Sequence, residues 1–248
     1  MKTPTTLVIA ASAVALCLVG ASPATAAPII LNGGFEAGFA SWTRADQLGS
    51  EGTFHLQSGV LSPLPLNGDP VPAPPGGTYA AMTDAYGPGS YVLYQDFVVG
   101  ASSATLQFDL FIGNRWDEFY TADPATVGLD FSTAALNQQA RVDILRGSAD
   151  PFSVAASDVL LNLYQTSPGD ASVSGYNTFT FDLSALFAAN PGETLRLRFA
   201  ETDNVLQFQF GVDNVSLETR SVSVPEPASS LVLLGIGLAA LGVRRRRR

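Results

Sequence analysis

The chain is nearly devoid of the residue types that most often build reactive sites or covalent cross-links. Its 248 residues include one cysteine, Cys17, one histidine, His55, and one lysine, Lys2. One cysteine cannot form a disulfide within the chain. His55 lies in an alternating, strand-like stretch, so spacing assembles neither a catalytic triad nor a zinc site around it. No glycine-rich phosphate loop precedes a helix pattern either. We therefore expect a protein that is not an enzyme.

Basic residues are scarce in the body of the chain. The sequence has 13 Lys and Arg against 22 Asp and Glu, a net charge of −9. Lys2 and the arginines 244–248 lie at the two ends, and without both ends 7 basic and 21 acidic residues remain, a net charge of −14. Such a surface repels phosphates, which excludes nucleic acid as a partner. It suits divalent cations and neutral glycans, or serves solubility alone.

Long apolar runs occur only at the ends. Lys2, an apolar stretch at 7–20 and the A-x-A sequence ending at Ala26 are typical of a signal peptide. We expect a cleaved signal helix at 1–26, removed by signal peptidase, with a retained amino-terminal anchor as the alternative. Cys17 lies inside the apolar stretch behind Leu16, where a lipoprotein signal requires a small residue, so lipidation is not expected.

The other end carries three signals in a fixed order. Pro225, Glu226 and Pro227 precede an apolar run at 228–243, and the arginines 244–248 follow it. The run of 16 residues would span about 24 Å as a helix, slightly short of a typical membrane span. We predict a carboxyl-terminal transmembrane helix whose arginines stay cytoplasmic, so the body lies outside the cytoplasm.

The segment 224–248 resembles the PEP-CTERM sorting signal of Gram-negative bacteria. The resemblance implies processing near Pro225-Glu226-Pro227 by an exosortase-type enzyme. The protein would be anchored transiently in the inner membrane and then released to the cell surface or to an extracellular matrix. The alternative is an ordinary carboxyl-terminal membrane anchor.

The residue pattern of the body, 27–223, predicts β structure. Apolar and polar residues alternate at 53–57, 91–98, 104–112, 141–146, 176–183, 194–200 and 206–217. Turn clusters separate these runs, and only 183–189 has a helical pattern. We predict one all-β domain, a β-sandwich and most simply a jelly roll. In it Arg196 and Arg198 face outward, Arg141 and Arg146 form outward salt bridges, and 62–77 and 117–126 are long surface loops.

The two ends of the body carry further motifs. It opens with Asn32-Gly33-Gly34-Phe35-Glu36, followed by Trp42, and closes with Asp213-Asn214-Val215. These motifs resemble the carbohydrate-binding jelly-roll modules of the galactose-binding-like superfold, of the CBM4, CBM9 and CBM22 type. The resemblance implies a structural calcium ion held by the side chains of Glu36 and Asp213 and the carbonyl of Gly34.

The calcium expectation leaves several points open. Asn32 and Asp84 are further possible ligands, and oxygen ligands of this kind suit calcium. The alternative is that Glu36 and Asp213 are merely solvated or hydrogen-bonded to turn amides. Trp42 is expected to pack in the core.

Glycan binding needs exposed aromatic faces with polar groups beside them. The best local candidate is the stretch with Arg115, Trp116 and Tyr120, and Tyr86, Tyr91 and Tyr94 are further options. The first functional hypothesis is a calcium-stabilised protein that binds extracellular polysaccharide. The second is a structural envelope or biofilm matrix protein without a specific glycan site. The third and weaker one is a polysaccharide hydrolase, for which Asp117 with Glu118 would be the carboxylate pair.

Overall fold

The computed structural model describes residues 29–64, 68–100, 103–116, 118–120 and 128–220. These residues form ten strands and one short helix, which confirms the predicted all-β class. The elements are β1 Thr43–Asp46, β2 Gly52–Gln57, β3 Ala80–Ala85, β4 Gly89–Val98, β5 Ser103–Asn114, β6 Gln138–Arg146, β7 Val159–Gln165, β8 Asn177–Asp182, α1 Ser184–Ala189, β9 Thr194–Asp203 and β10 Phe208–Arg220.

The strands form two antiparallel sheets that pack face to face. Sheet 1 has the order β1-β4-β9-β6-β7, and sheet 2 has the order β2-β3-β10-β5-β8. Four strand pairs are nested in sequence, namely β3 with β10, β4 with β9, β5 with β8 and β6 with β7. This nesting arises when a chain folds back once, here between β6 and β7, and the resulting long hairpin wraps across two sheets. The arrangement is the predicted jelly roll. β1 and β2 each extend an edge of one sheet.

The core lies between the sheets and follows the two-residue period of the strands. Leu195, Leu197 and Phe199 of β9 point inward and are fully buried, and alternate residues of β5 face them. The ring of Phe108 meets that of Phe199 edge to face, with centroids 5.4 Å apart. Burial of each such side chain contributes roughly 1.5–3 kcal/mol. The predicted inward alternation of β5 and β9 is confirmed.

The arginines predicted to face outward do point away from the core, but they are not exposed to solvent. Arg198 is fully buried because the loop after β6 folds over it. Two carbonyls of this loop accept hydrogen bonds from the Arg198 guanidinium. Arg198 also pairs with Asp143, which accepts a bidentate pair of hydrogen bonds from Arg141 at 2.8 and 2.7 Å. The salt bridge predicted for Arg141 is therefore buried. Arg146 is exposed and donates to a backbone carbonyl.

Three strands, β1, β3 and β7, were not predicted. β3 is buried along its whole length, so it lacks the alternation of a half-exposed strand. It is covered on its outer face by the predicted proline-rich loop 62–77, whose Val71 packs on Met82 and Phe111. The predicted helix corresponds to α1.

Several predicted features lie outside the described residues. These are the signal peptide 1–26, the sorting segment 224–248 with Pro225, Glu226 and Pro227, and most of the loop 117–126. Among the helical segments of the described ranges, none is both long and apolar enough to cross a membrane. The predicted transmembrane helix at 228–243 is not part of those ranges.

Candidate functional site

The two ends of the body meet along β10. The N–H of Ile29 donates to the carbonyl of Leu217 at 3.1 Å, and the N–H of Val215 donates to the carbonyl of Gly33 at 3.0 Å. Residues 29–33 therefore run beside the last strand. The approach is so close that a Cβ on Gly33 would lie 1.7 Å from the carbonyl oxygen of Val215, a position that only glycine tolerates.

This approach places two of the three predicted calcium ligands, the carboxylates of Glu36 and Asp213, on one turn. Asp213 is buried, and its two oxygens accept the N–H groups of Asn214 at 2.7 Å and of Gly76 at 3.1 Å. Glu36 Oε1 accepts two N–H groups of the turn 76–79, at 2.7 and 2.9 Å. A Cβ built on Gly34 would lie 3.9 Å from Asp213 Oδ1. One turn thus holds both carboxylates, with Gly34 beside them.

The electrostatics of this site favour a cation. Burial raises the pKa of Asp213 to about 6, and the nearby charges of Asp109 and Glu36 add to the rise, although two N–H groups oppose it. In contrast, N–H donors from the turn 76–79 lower the pKa of Glu36. Within the described ranges, no three acidic, histidine or cysteine side chains converge as ligands of one ion. A cation here would therefore need backbone carbonyls as well.

The two further ligands considered from the sequence have other roles. The side chain of Asn32 closes a turn by donating to the carbonyls of Gly38 and Ala40, at 2.8 and 3.0 Å. Asp84 accepts the N–H of Leu64 at 2.8 Å and the amide of Gln209 at 3.3 Å, away from Glu36 and Asp213. Neither side chain joins the predicted site.

Trp42 packs in the core, as predicted. Its ring lies 5.4 Å from that of Phe35 and 6.0 Å from that of Phe199, and its indole N–H donates to the carbonyl of Asn32.

A cleft of about 360 Å³ opens at the end of the sandwich where β9 ends and β10 begins. We call it the end cleft, and its walls are the turn 86–88 and the segment 203–207. Tyr86 is 55% exposed and Leu206 is 44% exposed. Both described chain ends lie toward the opposite end, because β10 runs away from the cleft and residue 29 pairs with its far half.

Of the three predicted glycan-binding residues, only Trp116 presents an exposed ring. Its side chain is 44% exposed beside the end cleft, since the N–H of Arg115 donates to the carbonyl of Gln207 in the cleft wall. The guanidinium of Arg115 donates a hydrogen bond from Nε to Oε1 of Gln209 at 2.9 Å. Tyr120 is half-buried and is held by a backbone bridge to β6.

The other tyrosines considered from the sequence differ in exposure. Tyr91 is buried between the sheets, and the guanidinium of Arg196 covers the ring of Tyr94 at 4.0 Å. Tyr86 alone of these three lies in the cleft wall. The cleft segment itself was missed because 206–217 was interpreted as one strand, whereas β10 begins at Phe208.

Two acidic residues that sequence reasoning did not single out lie beneath the cleft. Glu201 and Asp203 continue the inward-facing phase of Leu195, Leu197 and Phe199 along β9. Acidic residues at core-facing positions are the signal that could have revealed them. Burial raises the pKa of Asp203 to about 8, and the charge of Asp84 adds to the rise. Burial, followed by the charge of Asp203, raises the pKa of Glu201 well above its ordinary range.

Comparison with known proteins identifies the carboxyl-terminal segment. Residues 223–247 match the family model of the PEP-CTERM protein-sorting motif. This match confirms the predicted sorting signal and implies an exported protein that is processed by an exosortase. No curated protein matches the chain.

Several solved structures resemble the described sandwich. One is TmCBM61 in complex with β-1,4-galactotriose, with 10% identity, a TM-score of 0.43, and coverage of 79% of this chain and 99% of that chain. Another is the K3 cleaved adhesin domain of Lys-gingipain from Porphyromonas gingivalis, with 14% identity, a TM-score of 0.44, and coverage of 77% and 98%. A third is a Stig cyclase from Fischerella sp. TAU, with 17% identity, a TM-score of 0.44, and coverage of 79% and 100%.

Proposed function

We propose that this exported protein is a non-catalytic binder of extracellular polysaccharide and that the end cleft receives the glycan. The observation that carries the proposal is the exposed apolar surface of Tyr86 and Leu206 in the cleft, with Trp116 beside it. Sugar rings stack on aromatic faces, and neighbouring polar groups meet their hydroxyls. Asn204 and Gln207 line the same cleft, and the side chain of Asn204 is hydrogen-bonded to the segment 131–137.

The position of the cleft suits a sorted protein. The sorting motif at 223–247 follows β10, whose last residues lie at the far end of the sandwich from the cleft. While the tail is held at a membrane, the cleft faces away from it. The binding surface is then free to meet a polysaccharide before and after processing.

We further propose a structural calcium ion at Glu36, Asp213 and the Gly34 carbonyl. The supporting observations are that the carboxylates of Glu36 and Asp213 share the turn 76–79 and that the pKa of Asp213 is raised next to two other carboxylates. Bound calcium would neutralise these charges and join the first segment of the body to β10. The competing interpretation is that the amide hydrogen bonds from the turn 76–79 hold both carboxylates without an ion.

The hydrolase hypothesis finds less support in the cleft. A glycosidase needs two carboxylates that reach the scissile bond. Glu201 is fully buried, and Asp203 is only 2% exposed although it lines the cleft, so the pair presents little carboxylate surface to a glycosidic oxygen. Glu118 is exposed outside the cleft wall, and Asp117 is not among the described residues.

Retention of the full-length protein, in mild detergent, on a panel of insoluble polysaccharides and exopolysaccharides tests the glycan proposal. We expect retention on one glycan class, with affinity reduced about tenfold in Tyr86→Ala and in Trp116→Ala, because each loses a stacking ring worth about 1.4 kcal/mol. Each retention is measured with calcium and with chelator.

The matched control is Val98→Ala, since Val98 is 60% exposed but ends β4 at the end opposite the turn 86–88. It should bind like the wild type. Retention on no glycan by a folded protein would instead favour a structural matrix component. If all three variants are retained as well as the wild type, the glycan site lies outside the end cleft.

A further inference from the structure

We infer that Glu201 and Asp203 form a proton-binding site beneath the end cleft, and that pH controls the cleft through this site. The effect on glycan retention rests on the proposed function, whereas the effect on stability does not. The site is a pair of carboxylates on one face of β9, roughly 6.5 Å apart along the strand. It lies where the interior of the sandwich meets the cleft wall.

The geometry of Glu201 indicates that a small species belongs there. Glu201 is fully buried, and within the described part of the chain neither of its carboxylate oxygens makes a hydrogen bond of normal geometry, although the hydroxyl of Thr83 lies close enough to lower its pKa. The hydroxyl of Thr83 opposes the rise in the pKa of Glu201. The same hydroxyl accepts a hydrogen bond from the N–H of Phe210 at 2.8 Å and lies 3.4 Å from the carbonyl of Phe208. A buried carboxylate without partners is costly when ionised and much less so when protonated.

The groups that face the pair cannot supply a positive charge. Asp84, from β3, adds negative charge that raises the pKa of both carboxyls. Tyr91, from β4, lies opposite Glu201 in register, and burial and then the charge of Glu201 raise the pKa of its hydroxyl. Asp46 and Glu51 add further negative charge around Tyr91. A proton is therefore the simplest species that neutralises the pair.

Asp203 links this proton site to both walls of the cleft. Its Oδ1 accepts the N–H of Gly89 at 2.8 Å, at the base of the turn that carries Tyr86. Its carboxylate also accepts the N–H of Phe208, where the other wall joins β10. When both carboxyls lose their protons, repulsion in the buried site acts directly on this link. The cleft walls are then expected to separate.

The direction of the pH effect follows from proton linkage. In the unfolded chain both carboxyls lose their protons near pH 4. In the folded protein burial raises the pKa of Asp203 to about 8 and that of Glu201 well above its ordinary range. Between pH 4 and these raised pKa values the folded protein binds more protons than the unfolded chain, so its stability falls as pH rises from about 4 through about 8.

The test compares full-length wild type, Glu201→Gln and Glu193→Gln in mild detergent between pH 5 and pH 9. Glu193 is the matched control, because it is exposed and directly precedes β9. We expect the wild-type and Glu193→Gln melting temperatures to fall by at least about 5 °C across this range. Glu201→Gln has no titrating group at position 201, so its melting temperature should fall less than that of the wild type, with the part due to Asp203 retained, and it should melt above the wild type at pH 9. Where a glycan binds, its retention by the wild type should weaken over the same range.

Infrared difference spectroscopy provides a second readout that does not depend on the variant folding. The wild type at pH 7 should show a protonated carboxyl band that disappears on titration past about pH 8. Absence of that band, or a melting temperature that does not fall between pH 5 and pH 9, would overturn the inference. A fall that a divalent cation abolishes in the Glu36→Gln, Asp213→Asn variant, which lacks the proposed calcium ligands, would also overturn it, in favour of a metal ion at the pair. Failure of glycan binding alone would leave the melting and infrared results to decide the proton site.

Discussion

Gly33 lies where the first described segment crosses β10, and it shows how one residue supports the candidate calcium site. Its carbonyl accepts the N–H of Val215, and the two backbones are too close for any side chain at this position. At Gly34, the next residue, a Cβ would meet only Asp213 Oδ1, at an ordinary contact distance of 3.9 Å. The two glycines look equivalent in the sequence, but the structure gives them different roles.

Replacement of each glycine by alanine tests this difference. Gly33→Ala should lower the free energy of unfolding by roughly 2–3 kcal/mol, because the new methyl group overlaps the Val215 carbonyl. Gly34→Ala should change it by no more than about 0.5 kcal/mol. Urea unfolding of the full-length protein in the presence of chelator measures both values. Equal losses in the two variants would contradict the close approach at Gly33.

At the scale of elements, three segments distant in sequence depend on one small site. The opening segment contributes Glu36, β10 contributes Asp213, and the turn 76–79 donates N–H groups to both. The turn ends the proline-rich loop that covers sheet 2, so the site also anchors that loop. The protein has no disulfide that could do this work, since its single cysteine is Cys17.

The calcium proposal predicts a rise in melting temperature when calcium replaces chelator. The double variant Glu36→Gln, Asp213→Asn should abolish this rise, because the remaining carbonyl ligands cannot hold the ion alone. A matched control is Asp182→Asn, which changes an acidic residue on β8 at a distance from the site. The rise should persist in that control. A rise that is unchanged in the double variant would show that calcium binds elsewhere, and no rise in the wild type would favour the amide interpretation.

For the whole molecule, the arrangement of its two ends matters most. The cleft lies at one end of the sandwich, while both described chain ends lie toward the other. If the cleft binds the glycan as proposed, processing at the sorting motif, which follows β10 in the sequence, leaves that surface unchanged.

The sorting motif predicts a defined change in the mass of the exported protein. Expressed in a Gram-negative bacterium that has an exosortase, the protein recovered from the surface or medium should lack the arginines 244–248. Replacing Pro225, Glu226 and Pro227 with alanine should keep the protein in the membrane fraction. Intact-mass measurement of both fractions checks this prediction. Wild-type protein that keeps the arginines in the inner membrane would indicate an ordinary anchor.

The strand pattern was largely predictable, because each half-exposed strand imposes a two-residue period on its sequence. β5 and β9 were recognised in this way. Trp42 was expected in the core from the resemblance to carbohydrate-binding modules, and the loop 62–77 was predicted from its prolines. β3 was missed because burial of both faces removes the period. The sorting segment was predictable because its signals are contiguous and need no tertiary contact.

Local sequence alone determined the fold class, the sorting signal and the types of residue that could serve a site. Tertiary structure decided which residues meet. It brought Glu36 to Asp213, buried Arg198 beneath a loop, placed Tyr86 and Leu206 in one cleft and put Glu201 between the sheets. The reason is physical, since burial and electrostatics depend on distances between segments that the folding of the whole chain sets.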